Sequence, residues 1–136
     1  MKKPLIIKEI YNCKEEQNPV YPLQKWYNEV IQKNEDEITI SDVLRMIRQN
    51  LFIEIATKKT VEFLISDPFA HEEYEGQLLE HLARVDAIYL KTYADKIERI
   101  ADNGMKSLNE SEWMSEDDKA EYLNAIRILQ MNTIHS

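Results

Sequence analysis

The chain has 136 residues, which fits one domain spanning residues 1–136. Its 43% apolar content supports a packed core and excludes a disordered chain, while no apolar run approaches the roughly 18 residues that would cross a bilayer. The net charge of −8 disfavours nucleic acid and anionic lipid as partners and favours a cationic one.

Only 2 glycines and 4 prolines interrupt the chain, so helix is expected almost throughout. The first residues, Met1-Lys2-Lys3, precede an apolar stretch of only Leu5-Ile6-Ile7, shorter than the roughly 7–15 residues of a signal peptide. Residues 4–11 fit either a short strand or a helical turn. In residues 22–33, Leu23, Trp26, Tyr27, Val30 and Ile31 recur at the spacing of one helix face, with Pro22 in the first turn. An acidic connection follows, Asn34-Glu35-Asp36-Glu37.

The next helix has a clear start. Thr39 and Asp42 have capping-box spacing, and Ile38 and Val43 are placed as a hydrophobic staple. Val43, Leu44 and Ile47 carry its buried stripe toward Leu51, and Arg45, Arg48, Gln49 and Asn50 its polar side. A more apolar helix over residues 52–66 carries Ile55, Ala56, Phe63 and Leu64; it ends at Asp67-Pro68, because the residue before a proline leaves the helical region. Residues 69–76 form a surface loop. Leu78, Leu79 and Leu82 make another apolar face ending near Val85.

Asp86 is placed to cap a helix bearing Tyr89, Tyr93, Ile97 and Ile100, with Asn103-Gly104 as its expected left-handed stop. After a polar stretch through Ser111 and Glu112, Ser115 and Asp118 open a last helix that buries Tyr122, Leu123, Ile126 and Leu129. Glu116, Asp117 and Asp118 in its first turn suit the positive helix terminus. The expected fold is all-α, a compact bundle of about six helices.

Little in this pattern points to catalysis. His71 begins His-Glu-Glu-Tyr-Glu but lacks a second histidine four residues on, and His81 and His135 have no partner at ligand spacing. Surface or packing roles are the ordinary ones for them. Cys13, the single cysteine, makes no internal disulfide, suits a reducing cytosol and is expected as a small buried hydrophobe. There is no glycine-rich phosphate loop. A small hydrolase using Cys13 or His71 therefore has no positive support, and no metal, cofactor or small-molecule substrate is expected.

Three separated elements carry a resemblance. Residues 41–53 read Ser-Asp-Val-Leu-Arg-Met-Ile-Arg-Gln-Asn-Leu-Phe-Ile; after a helix comes Asp-Pro-Phe-Ala, then Tyr-Glu-Gly-Gln-Leu-Leu. This order resembles a family of contact-dependent growth inhibition (CDI) immunity proteins. The matching positions are Arg45, Ile47 or Arg48, Gln49, Asn50, Asp67, Pro68, Ala70, Tyr74, Gly76, Leu78 and Leu79, within about 40 residues of the chain. The resemblance implies a cytoplasmic bacterial protein that binds and blocks the toxin domain of a secreted effector, a domain that is often a nuclease and frequently an RNase. For the motif residues a scaffold role is expected, with Arg48, Gln49 and Asn50 bonding the Asp67–Ala70 turn and Gly76 admitting the chain to the next helix.

The charge distribution fits such a partner. Residues 1–70 hold 11 acids and 10 bases, whereas residues 71–136 hold 14 acids and 7 bases, a balance of −7. A nuclease site attracts phosphate with basic side chains, so an acidic inhibitor gains fast association by steering. The candidate contacts are Glu72, Glu73 and Glu75 on one loop, and Glu110, Glu112, Glu116, Asp117 and Asp118 on the other. A helical adaptor binding some other basic partner shares the same fold and charge.

Overall fold

A computed structural model describes residues 4–134 of the chain. Its α-helices are α1 (Ile7–Tyr11), α2 (Pro22–Val30), α3 (Ile40–Gln49), α4 (Ile53–Ser66), α5 (Gln77–Leu82), α6 (Ala87–Leu90), α7 (Ala94–Lys106) and α8 (Glu116–Ile134), with 3-10 turns at Glu35–Glu37, Lys91–Tyr93 and Leu108–Glu110. The fold is all-α. His135, considered above as a ligand, lies outside the described residues.

Helix α4 is the axis of the packing. It buries Ile53, Ile55, Ala56, Thr57, Thr60, Val61 and Leu64, and even most of Lys59. Burial on several sides is what a helix with little amphipathic contrast requires. α3, α5 and α7 lie against it, and α8 closes the other side of α5 and α7. The apolar side chains form one continuous cluster, from Ile7 and Val30 through Leu44, Leu64 and Leu79 to Ile126 and Leu129.

Local chemistry sets most helix starts. Thr39 Oγ1 accepts from the Asp42 amide at 3.1 Å, and Asp42 Oδ2 accepts from the Thr39 amide at 3.0 Å. Asp42 does more than cap: it is buried, and it also takes the Trp26 indole N–H at 3.0 Å and Lys33 Nζ at 2.7 Å. Burial alone would raise its pKa; the bonds from Lys33, Thr39 and Trp26 outweigh this and hold it below the ordinary carboxylate value. Asp86 caps α6 by accepting from the Ile88 amide at 3.1 Å.

Several expectations are corrected. Residues 4–11 combine both alternatives: an isolated antiparallel bridge joins Ile6 to Asn34, and the chain then turns directly into α1. α2 ends at Val30, and Leu23 is 42% exposed because the first turn of α2 overhangs the core. Phe52 lies outside α4, capping it from the left-handed region at φ 52°. The helix expected after Asp86 is broken by the turn at Lys91–Tyr93. Asn103-Gly104 is no stop, since α7 runs on to Lys106 through Gly104 with no positive φ there.

Gly104 has a different reason to be glycine. A Cβ there would collide with Tyr122 Oη, and a Cβ on Gly76 would come within 2.5 Å of Tyr122 Cδ2. Both glycines of the chain thus make room for one ring. Tyr122 is fully buried, its hydroxyl donates to the Pro68 carbonyl at 2.8 Å, and its ring packs against Phe69 and Trp113 at 5.1 and 5.2 Å. Burial, reinforced by Asp67, Glu75 and Glu80, raises the phenol pKa, so the hydroxyl remains a donor.

This packing reverses an ordinary propensity. Replacing an interior helical glycine by alanine normally stabilises by about 1 kcal/mol. Gly104→Ala is expected instead to destabilise, and to recover much of the loss when combined with Tyr122→Phe, which removes the colliding hydroxyl. Urea denaturation of the two single variants and the double variant checks this; additive effects would exclude the contact.

Candidate functional site

Two loops meet at the C-terminal ends of α4 and α7. The first, residues 67–76, is built from within. Asp67 Oδ1 accepts from the Phe69 amide at 2.9 Å, the Ala70 amide returns to the Asp67 carbonyl at 3.1 Å, and the Gly76 amide reaches the Phe69 carbonyl at 3.1 Å. Gly76, at φ 82°, then turns the chain into α5. The buried Gln77 side chain accepts from the amides of both Glu72 and Glu73, at 3.0 and 2.9 Å, fastening the loop while leaving those two carboxylates in solvent.

The second loop, residues 107–115, is held by the Trp113 indole donating to the Leu108 carbonyl at 2.7 Å and by Lys119 Nζ on Asn109 at 2.7 Å. Ser111 Oγ donates to Glu75 Oε2 at 2.7 Å and joins the two loops. Between them lies a groove of about 470 Å³ lined by Asp67, Glu75, Glu110 and Glu112 together with Pro68, Phe69, Ser107 and Ser111. Among the described residues, no lysine or arginine forms an ion pair with any of these four carboxylates. His71 Nδ1 lies 3.9 Å from Glu75 Oε1, so this histidine offsets that one carboxylate whenever it is protonated.

The eight candidate acids therefore divide. Glu75, Glu110 and Glu112 line the groove. Glu72 and Glu73 are exposed on the same loop as Glu75, and Glu116 and Asp117 are exposed on the first turn of α8. Asp118 is half-buried and acts on a second acidic pair, Glu80 and Glu121, which line a notch of about 280 Å³ between α5 and α8. Burial pushes the Glu80 pKa up to about 7; Glu121 and Asp118 add to the rise and Arg84 opposes it. Asp67 in the groove, Glu80 and Glu121 in the notch, and Gln77 beneath the loop were not among the candidate contacts. Only the packing of α5 on α8 brings Glu80 and Glu121 together. Gln77 follows the Tyr-Glu-Gly segment, but no spacing rule marks its buried acceptor.

The motif residues are dispersed by role. The Arg45 guanidinium lies over the Trp26 ring at 5.4 Å. Asn50 closes α3 in the left-handed region, at φ 52°. Arg48 and Gln49 are exposed, and none of the hydrogen bonds among the described residues joins Arg48, Gln49 or Asn50 to the Asp67–Ala70 turn. Tyr122 and the turn's own Asp67 do that work. Tyr74 is half-buried, its phenol pKa raised by burial and then by Glu80.

Among the described residues, no group of three or more His, Cys, Asp or Glu side chains is arranged to hold a metal ion. His81 is buried with Nδ1 2.9 Å from the Gln77 carbonyl, and burial lowers its pKa. His71 sits on the first loop, Nδ1 3.0 Å from the Phe69 carbonyl. Cys13 is partly buried against the core. No described helix is long and apolar enough to cross a membrane.

Residues 9–100 match a protein-family model described as CDI immunity proteins, about two thirds of the chain. The matched span covers the first loop; Glu110, Glu112 and the start of α8 lie beyond it. Among curated proteins, none matches the chain.

The notch has a pH consequence. Glu80 has a folded pKa above its unfolded value of 4.5, so the folded state holds an extra proton between pH 4.5 and about 7. Stability from this group is greatest below pH 4.5 and falls as pH rises through about 7. Glu80→Gln is expected to be more stable than wild type at pH 8 by about 1 kcal/mol after solvent screening, with the gap closing by pH 5. Chemical denaturation at the two pH values checks it.

Proposed function

The chain belongs to the CDI immunity protein family, and on that premise we propose that it neutralises a basic nuclease toxin by laying its acidic groove over the toxin's active site. Membership makes it an immunity protein that binds and neutralises a cognate CDI toxin domain, a toxin inhibitor and not an enzyme. The nuclease character of the toxin, with RNA as its substrate, and the blocking of a cationic site are our reading. So is the place of action, the cytoplasm of the producing cell.

The observation that carries the reading is the set of four carboxylates lining one groove with no lysine or arginine paired to them among the described residues. A site that binds a polyanion presents several cations spaced to meet phosphates. Carboxylates held at the rim of a concave surface offer those cations an alternative set of acceptors, and they exclude the substrate while doing so. Glu72, Glu73, Glu116 and Asp117 extend the same field outward; the excess of 14 acids over 7 bases in residues 71–136 makes it long-ranged. The fastening of the loops by Gln77, Ser111 and Tyr122 matters here, because acids on a preformed frame lose less freedom on binding.

Co-expression is expected to rescue cells from the cognate toxin domain. In stopped-flow mixing, the association rate should fall steeply with rising salt. The triple variant Glu75→Gln, Glu110→Gln, Glu112→Gln should associate about tenfold more slowly at low salt and show a shallower salt dependence. An association rate indifferent both to salt and to the triple variant would remove the cationic-site mechanism.

A further inference from the structure

At the other end of α4 and α7 lies a second concave region with different chemistry. Asp67 and Ser107, just past the C-terminal ends of these helices, line the acidic groove, whereas Glu54 and Tyr93, near their N-terminal ends, line two adjoining hollows. α7 has 13 residues, so the two regions are separated by about 20 Å at 1.5 Å per residue. The outer hollow, about 420 Å³, is lined by Ile10, Tyr11, Ile55 and Tyr93, by Glu54, and by the ion-paired Glu35 and Lys58. The inner one, about 120 Å³, is lined by Glu54, Thr57, Ile88, Tyr89, Thr92 and Tyr93.

Two polar groups of the inner hollow are unusual. Thr57 is fully buried, yet its Oγ1 has no hydrogen-bond partner. A helical threonine ordinarily returns its hydroxyl to the carbonyl four residues back, as Thr133 does to Leu129 at 2.8 Å. Neither Thr57 nor Thr60 does, and a buried hydroxyl left unpaired costs stability unless something pairs with it; of these two it is Thr57 that lines the inner hollow. Glu54 is exposed and accepts from Tyr11 Oη at 2.9 Å, but among the described residues no lysine, arginine or histidine pairs with it. The nearby cation Lys58 is taken by Glu35 at 2.9 Å. Burial, with the bond to Glu54, holds the Tyr11 phenol protonated.

The aromatic walls are held in place. Tyr11 packs on Phe52 with ring centroids 4.7 Å apart, and Phe52 keeps φ 52°, a costly conformation for a bulky side chain. Ile88, 70% exposed, stands at the edge of the hollow. The set asks for a ligand that is flat, donates hydrogen bonds and carries positive charge. An apolar side chain would strip water from Glu54 and leave Thr57 orphaned, an acid would be repelled by the unpaired Glu54, and an ammonium would gain less against the tyrosine rings than a planar guanidinium.

We propose that these adjoining hollows receive an arginine side chain from the toxin domain, its stem along Ile55 and Ile88 and its guanidinium against Tyr89 and Tyr93, donating to Glu54 and to the Thr57 hydroxyl. This rests on the toxin-binding reading but not on the acidic groove, and it gives the complex two anchor points about 20 Å apart. The groove governs how fast the partners meet; the arginine, once desolvated, governs how slowly they part.

The test uses the full chain. Amide shifts are followed on titration with acetyl-arginine amide and, as an uncharged isostere, acetyl-citrulline amide. Saturable shifts at Thr57, Tyr89, Thr92 and Tyr93 with the arginine compound alone, weakened at least about fivefold by Glu54→Gln, are expected. With the cognate toxin domain, Thr57→Val and Glu54→Gln should each raise the dissociation rate about tenfold with the association rate little changed. Thr57→Val keeps the side-chain volume and removes an unpaired hydroxyl, so its thermal stability should equal or exceed wild type, and faster dissociation cannot be laid to unfolding. Absent or citrulline-equal shifts, or an unchanged dissociation rate in both variants, would overturn the proposal. Should the Glu75, Glu110 and Glu112 variant alone leave binding unaltered, the acidic-groove mechanism falls and the arginine site stands.

Discussion

The Tyr122 ring occupies space left by two glycine backbones, and its hydroxyl ends on the carbonyl of Pro68. Those contacts tie three separate pieces of chain, the 67–76 loop, α7 and α8, to one side chain. Without the ring there would be a void beside Phe69 and Trp113. The positions of Asp67 and Glu75 relative to Glu110 and Glu112 follow from it, because the first pair stands on the loop that Tyr122 holds and the second pair just beyond α7, where Gly104 receives it. An aromatic core residue thus sets the spacing of surface charges that it does not touch.

A rigid frame suits an inhibitor. Electrostatic steering needs only net charge, but a stable complex needs charges at fixed separations, since each flexible loop ordered on binding subtracts from affinity. The acidic groove is stiffened by Gln77, Ser111 and the indole of Trp113, all within hydrogen-bonding range of the loops they brace. At the far end of α4, Phe52 and Tyr11 do the same for the tyrosine-walled hollows. Buried α4, common to both, makes the distance between the two ends a property of the core rather than of the surface.

The carboxylates of the chain illustrate how environment assigns roles to one functional group. Asp42 is buried and ion-paired, and serves as a cap and as an anchor for Trp26 and Lys33. Glu80 is crowded by Glu121 and Asp118 and holds its proton to about pH 7. Glu75 is bound by a serine and still faces a groove. Glu72 and Glu73 lie in water. Composition counts all of them equally.

What the sequence determined by itself was local. The helical period, the Thr39 and Asp86 caps, the break at Asp67-Pro68 and the charge excess after residue 70 are fixed by neighbours a few positions apart, and so is the motif order that resembles the immunity family. Where a residue had two local meanings, the tertiary structure decided. Gly104 looked like a helix stop because glycine tolerates left-handed angles, yet it is a socket for a ring 18 positions later in the chain. Residues 4–11 were open between strand and helix because the deciding partner, the backbone of Lys33 and Asn34, belongs to a different segment. The joining of Glu75 to Ser111, the crowding of Glu80 by Glu121 and the orphaned hydroxyl of Thr57 likewise depend on contacts between segments distant in the chain, and no periodicity records those.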